Sequence, residues 1–221
     1  MTTWLETQNS PSYEIAEMIV GGIIPIVLIV VGTLGNLICL VILLNKENRQ
    51  TSTNIYLIFL CLMDTISLYQ WNLSRALDKF TNGQRTMWGQ SLVMCKLSQF
   101  FPFYTLHTSA MFLTFVELDR ACLLRSAWYK RKIARPRIAL IICIIILVIL
   151  FGLNGFLFAL GFEYTVSDSN TGNVQTAVAC FYSLNAALNE FFSVKFAWVS
   201  ISLGVCLVNE TCCDLYRFIW W

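Results

Sequence analysis

The stretch CKLSQFFPFYTLHTSAMFLTFVELDR, residues 95–120, decides the fold. It opens on Cys95, closes on Glu117-Leu118-Asp119-Arg120, and is nearly uncharged between. Arg120 lies 25 positions after Cys95. As a helix rising ~1.5 Å per residue, that length exceeds the roughly 30 Å hydrocarbon core of a bilayer. Charges at a span end reach headgroups and water, whereas a mid-bilayer charge costs several kcal/mol. The acid–arginine pair therefore marks a membrane boundary that a partner can read.

The rest of the chain has the same character. Of its 221 residues 57% are hydrophobic and only 13% charged, which excludes an ordinary soluble domain. Five stretches are long and apolar enough to span: about Met18 to Leu44, Ile55 to Leu73, Leu97 to Leu124, Ile138 to Leu160 and Phe191 to Val208. Each must be helical, because a spanning segment satisfies its own backbone hydrogen bonds. The predicted fold is all-α, an integral membrane helical bundle of five transmembrane helices. Residues 1–17 are expected outside, 18–208 form the transmembrane domain, and 209–221 are a cytoplasmic stub. The acidic residues 1–17 carry no Lys or Arg and do not resemble a basic leader, so the first span is expected to remain as an anchor.

Orientation follows from Lys and Arg in the short loops. Lys46, Arg49, Arg125, Lys130, Arg131, Lys132, Arg135 and Arg137 share one side; Arg75, Lys79, Arg85 and Lys96 lie on the other. Eight against four puts the N-terminus outside and the C-terminus inside. Only Cys95 and Cys180 among nine cysteines then fall at outer positions. They can pair if the outer loop folds back over span 3. Alternating residues around Asn170-Thr171-Gly172-Asn173 predict a short hairpin in that loop. Cys212 and Cys213, on the inner side, are either palmitoylated or free.

Polar residues inside the spans carry the chemistry. Asn36 sits in span 1, Asp64 deep in span 2, and Ser109 about three turns before Arg120. An intramembrane carboxylate should face the bundle interior and find an ion, a proton or donors. The alternative is a hydrogen-bonded packing cluster that holds helices together. Glu117 can reach Arg120 at i+3.

Taken together, these residues resemble the rhodopsin-like (class A) G-protein-coupled receptors over about residues 18–208. The features are Gly35-Asn36, Leu60-x-x-x-Asp64, Trp88-Gly89 seven residues ahead of Cys95, then Cys95, Ser109, Asp119-Arg120 and Cys180. Thr51-Ser52-Thr53-Asn54-Ile55-Tyr56-Leu57 resembles the peptide-receptor branch. The resemblance implies a multi-pass plasma-membrane receptor that binds an extracellular ligand, a neuropeptide by branch, and relays it to a heterotrimeric G protein. It implies that Arg120 is held by Asp119 when inactive and meets the G protein when released. Asn36, Asp64 and Ser109 match a polar network linked to sodium, the one ion implied, and no other metal or nucleic acid is. Cys95–Cys180 would clip the outer loop over the ligand mouth. Pro102, Phe103, Leu106 and His107 are the ligand-pocket candidates, with His107 also readable as a packed helix contact.

Several departures qualify the match. Ala121 replaces the tyrosine usual after the arginine, Cys61 replaces an alanine, span 4 lacks the family's tryptophan, and span 5 lacks its proline. Pro102 stands where amine receptors carry an aspartate, which argues against a monoamine ligand. Segments matching spans 6 and 7 are not found, so the sequence reads as a receptor truncated after the fifth helix. The alternative is a short, non-signalling form that associates with a full-length receptor partner and modulates it. A transporter would show repeated halves, and an enzyme a clustered catalytic set; neither is seen.

Overall fold

The structure, a computed structural model, describes residues 11–81, 91–167 and 174–191. The first crossing combines α1 (Pro11–Met18), a π-helical turn (Ile19–Ile23) and α2 (Ile24–Leu43). Pro25 lies in the first turn of α2, and the wider turn before it absorbs the missing N–H. The second crossing repeats this construction with α3 (Ser52–Leu68), a π-helical turn (Tyr69–Leu73) and α4 (Ser74–Phe80). Then come α5 (Leu92–Arg125), the short loop helix α6 (Ala127–Lys132), and α7 (Pro136–Asn154), which tightens into a 3-10 turn over Gly155–Ala159. The antiparallel hairpin pairs β1 (Phe162–Ser167) with β2 (Val174–Ala179), in register from Phe162 opposite Ala179 to Ser167 opposite Val174. A short α8 (Ala186–Glu190) follows.

Among the described residues, three helical stretches are both long and apolar enough to cross a membrane: Tyr13–Leu43, Ser52–Phe80 and Pro136–Ala159. The 34-residue α5 is longer but less apolar. Its position explains this, because it packs against both α3 and α7 and so meets protein where the others meet lipid. Ser98, Gln99, Thr105, Thr108, Thr114 and Asp119 are all buried along it. Most of these hydroxyls turn back on their own helix: Ser98 donates to the Cys95 carbonyl, Thr108 to Tyr104, and Thr114 to Ala110. A self-satisfied hydroxyl needs no water, which makes a polar centre compatible with a dry bundle.

The core lies where three helices meet, with Tyr56 from α3, Phe112 and Val116 from α5, and Ala139, Cys143, Ile146 and Leu150 from α7. Nearer the hairpin, Phe100 stacks on Phe158 at 4.4 Å between centroids and packs with Leu157 and Leu160. The first crossing contributes little to either cluster; Val31 and Val41 remain 63% and 67% exposed, as side chains facing lipid should. Gly32 lets this crossing approach the second, since a Cβ there would stand 2.5 Å from Leu68 Cδ1. At one end of the two crossings, Lys79 forms an ion pair with Glu17.

The helix ends differ from the sequence expectation. The second crossing runs on to Phe80 instead of stopping near Leu73, and α5 starts at Leu92 instead of Leu97. Hydropathy registers where hydrocarbon ends, whereas a helix ends at a cap. Ser91 supplies one for α5, its side chain accepting from the Met94 N–H. The fifth span expected at residues 191–208 lies, apart from Phe191, outside the described residues. So do the 209–221 stub, Trp88-Gly89 and the hairpin turn.

Gly161 joins the α7 side to the hairpin with φ of +88°, and a Cβ there would sit 3.2 Å from Cys95 Sγ. Both the left-handed backbone and the close approach favour glycine. Gly161→Ala should destabilise the chain by about 1–2 kcal/mol. Gly152→Ala, where no atom lies within 4 Å of the added carbon, should change it by less than about 1 kcal/mol in either direction. Thermal unfolding of the purified variants in detergent checks both.

Candidate functional site

At the Arg120 end of α5, three elements converge on one carboxylate. Asp119 is 2% exposed, so its charge needs donors. Ser52 Oγ donates to both carboxylate oxygens, at 3.0 Å and 2.8 Å, and Thr53 Oγ1 donates to Oδ2. Both hydroxyls stand at the start of α3, where the partial positive charge of a helix N-terminus also favours an anion. The third donor is Tyr129, whose hydroxyl reaches Oδ1 at 2.8 Å from α6. Ser126 caps that helix by accepting from the Tyr129 N–H at 3.1 Å, which fixes where the ring emerges. Burial, and then its bond to Asp119, push the Tyr129 phenol above its ordinary pKa, so it stays a donor across the physiological range.

Arg120 is exposed and forms no ion pair among the described residues. The expected Asp119–Arg120 pair is therefore replaced: adjacent residues on a helix point about 100° apart, and the inward one finds better-placed hydroxyls. Glu117 is likewise exposed and makes no ion pair with Arg120. Around this end Lys130, Arg131, Lys132 and Arg135 are exposed together with Trp128. In the sequence Ser52 and Thr53 stand out only for their resemblance to the peptide-receptor branch, and Tyr129 does not stand out at all. Two hydroxyls at a helix start, opposite a buried acid, were the available signal.

At the opposite end, Cys95 and Cys180 form a disulfide with Cα atoms 5.7 Å apart, tying β2 to α5 across 85 positions of sequence. The next residue, Phe181, adopts φ of +65°, an uncommon backbone for a bulky side chain. Its ring helps line a cleft of about 280 Å³ with Gln70, Trp71, Ser74, Arg75, Ser98, Pro102 and Phe103. Two of the four pocket candidates, Pro102 and Phe103, thus face one space, while Leu106 and His107 do not line it. Leu106 is 54% exposed on another face of α5. His107 reaches α7, with its Nδ1 3.1 Å from Asn154 Oδ1. Asn154 Nδ2 donates to the Leu150 carbonyl, so its oxygen faces the ring and the His107 Nδ1–H is the donor. That pair holds two helices together.

Midway along the bundle, Asn36 and Asp64 line a second cleft of about 360 Å³ with Gly32, Ser67, Leu68, Trp71 and Asn72. Asn36 Nδ2 donates to Thr65 Oγ1 at 3.1 Å, and Thr65 in turn donates to the Cys61 carbonyl. Ser109 does not line this space, and its Oγ is buried without a hydrogen-bond partner among the described residues. The structure brings together two members of the expected trio and leaves the third apart.

A sequence model of the family described as "7 transmembrane receptor (rhodopsin family)" matches residues 35–221. The human galanin receptor type 2 is 30% identical over 110 residues, which is 50% of this chain and 27% of the relative. The chain thus matches little more than a quarter of that relative's length.

Removing the Tyr129 hydroxyl by Tyr129→Phe leaves Asp119 two donors and should destabilise the protein by about 1–3 kcal/mol. Arg120→Gln, which removes no bond among the described residues, should leave stability within about 0.5 kcal/mol. Thermal melts of the two variants beside the wild type make the comparison.

Proposed function

The chain belongs to the rhodopsin family of seven-transmembrane receptors, a family of receptors and not of enzymes, and from that premise we propose that it binds an extracellular peptide and relays it to a heterotrimeric G protein. In this reading the disulfide end lies outside, with the N-terminus, and the basic end with Arg120 lies in the cytoplasm. The observation that carries the proposal is the arrangement at Asp119 and Arg120. The acid is buried and bonded to three hydroxyls, while the neighbouring guanidinium is exposed at the helix end. Such a site can trade donors when α5 shifts, and the exposed arginine offers a planar donor to a partner.

The outer end supports the same reading. The disulfide and hairpin hold Phe181 over a cleft whose walls are Pro102 and Phe103 from α5 and Trp71 from the second crossing. With Pro102 where a monoamine receptor would carry an acid, a protonated amine has no carboxylate to meet on that wall. Asp64 would be the charged ligand of a small monovalent cation, with Asn36 and Ser67 beside it in the cleft. Ser109 is not placed to join them, so the described residues fit such an ion only in part.

The test uses the full chain at the surface of cultured cells, with nucleotide exchange on G proteins in their membranes as readout. Galanin, the peptide in the matched relative's name, is the first of a peptide panel. A peptide that stimulates the wild type should be roughly tenfold less effective on Arg120→Ala at equal surface level. Asp119→Asn, which weakens the hydroxyl cluster, should raise basal exchange. An Arg120→Ala chain that responds as fully as the wild type would refute the assignment of Arg120.

A further inference from the structure

Among the described residues that line the outer cleft, one is ionisable, Arg75. Beside it stand three aromatic rings, Trp71, Phe103 and Phe181, with Pro102, and the uncharged polar side chains of Gln70, Ser74 and Ser98. Arg75 makes no ion pair or hydrogen bond among the described residues, and the cation one turn on, Lys79, is already taken by Glu17. Asp78 is exposed and does not bridge to Arg75. A guanidinium is always charged and presents a planar fork that matches a carboxylate with two parallel hydrogen bonds. Flat aromatic walls beside it favour a ring or another flat apolar group.

We propose that this cleft takes a ligand segment in which a carboxylate lies beside an aromatic side chain, Arg75 binding the carboxylate while Trp71, Phe103 and Phe181 hold the ring. This rests on the peptide-receptor reading above and specifies the chemistry of the part of the peptide that enters. At about 280 Å³ the space admits one or two side chains and not a whole peptide, so the remainder must lie outside it. Basic segments are disfavoured, because no carboxylate among the described lining residues offsets Arg75. The carboxylate can be a side chain or the peptide's own C-terminus, and the two sources are separable.

The experiment incubates the full chain, fluorescently labelled and held in lipid nanodiscs, with two pools of bead-bound random peptides. One pool is anchored through the N-terminus and leaves a free C-terminal carboxylate; the other is anchored through the C-terminus and leaves none. Beads that retain the wild type should be enriched about tenfold in an acid next to an aromatic, in the second pool as Asp or Glu, or in the first as a C-terminal aromatic. Arg75→Gln should abolish that enrichment, Arg75→Lys should keep part of it, and Arg75→Glu should shift selection towards Lys and Arg. All three variants are checked for an intact Cys95–Cys180 bond.

An acid preference that survives Arg75→Glu would overturn the proposal, and would mean that the guanidinium lies among lipid headgroups. Wild-type beads enriched in peptides without acids would overturn it while leaving the peptide-receptor reading in place. No retained peptide on any chain would overturn that reading and this inference together.

Discussion

Everything at the Arg120 end depends on supplying donors to one carboxylate where little water reaches. A buried carboxylate left without donors costs several kcal/mol. Asp119 is instead satisfied by hydroxyls from Ser52, Thr53 and Tyr129, bonds to a charged acceptor worth about 1.5–3 kcal/mol each. Three pieces of chain are thereby located against each other: the start of α3, the end of α5, and the loop helix α6. The start of α3 lies 66 or more positions from the other two in sequence, so the carboxylate fixes tertiary geometry that helix propensity cannot.

The same logic explains why α5 looks least like a membrane helix. A helix face turned to lipid must be apolar, as the exposed Val and Ile of α2 are. A helix surrounded by other helices is free to carry polar groups, provided each is satisfied locally or across a contact. Threonines bonded to carbonyls in the preceding turn, and Tyr104 donating to the Leu147 carbonyl at 3.3 Å, meet that condition. Thr105 likewise donates to the Phe101 carbonyl, and Pro102, inside the helix, offers no backbone N–H of its own. Low hydropathy in α5 is therefore a consequence of its central position.

Much of this was legible in the sequence. Length and apolarity give the crossings, because bilayer thickness is a one-dimensional constraint that local composition must meet. Cysteines at the outer positions gave the disulfide, and alternation gave the hairpin, because both follow from where a residue lies along the chain. What could not be read was which polar groups meet. Asn36 bonds Thr65 and not its charged neighbour Asp64; His107 bonds Asn154; Asp119 bonds hydroxyls and not Arg120. Each outcome depends on helix rotation, which is set by packing of all neighbours at once. Rotation by one residue moves a side chain about 100°, and no single-helix pattern specifies it.

The donors around Asp119 are unequal in what it takes to remove them. Ser52 and Thr53 belong to α3, which packs along both α5 and α7 and carries Tyr56 into the core. Withdrawing those hydroxyls means moving a crossing helix and opening buried apolar surface at about 25 cal/mol per Å². Tyr129 belongs to a six-residue helix with no buried residues, joined to α5 through Ser126. A helix that short has little intrinsic stability and unfolds locally at low cost. The cheapest rearrangement at this end is thus loss of the Tyr129 bond while the two α3 bonds remain. That leaves Asp119 short of one donor, and the neighbouring basic surface free to reorganise. A displacement of α5 would need to supply only the free energy of that one bond to begin rearranging the basic surface at this end.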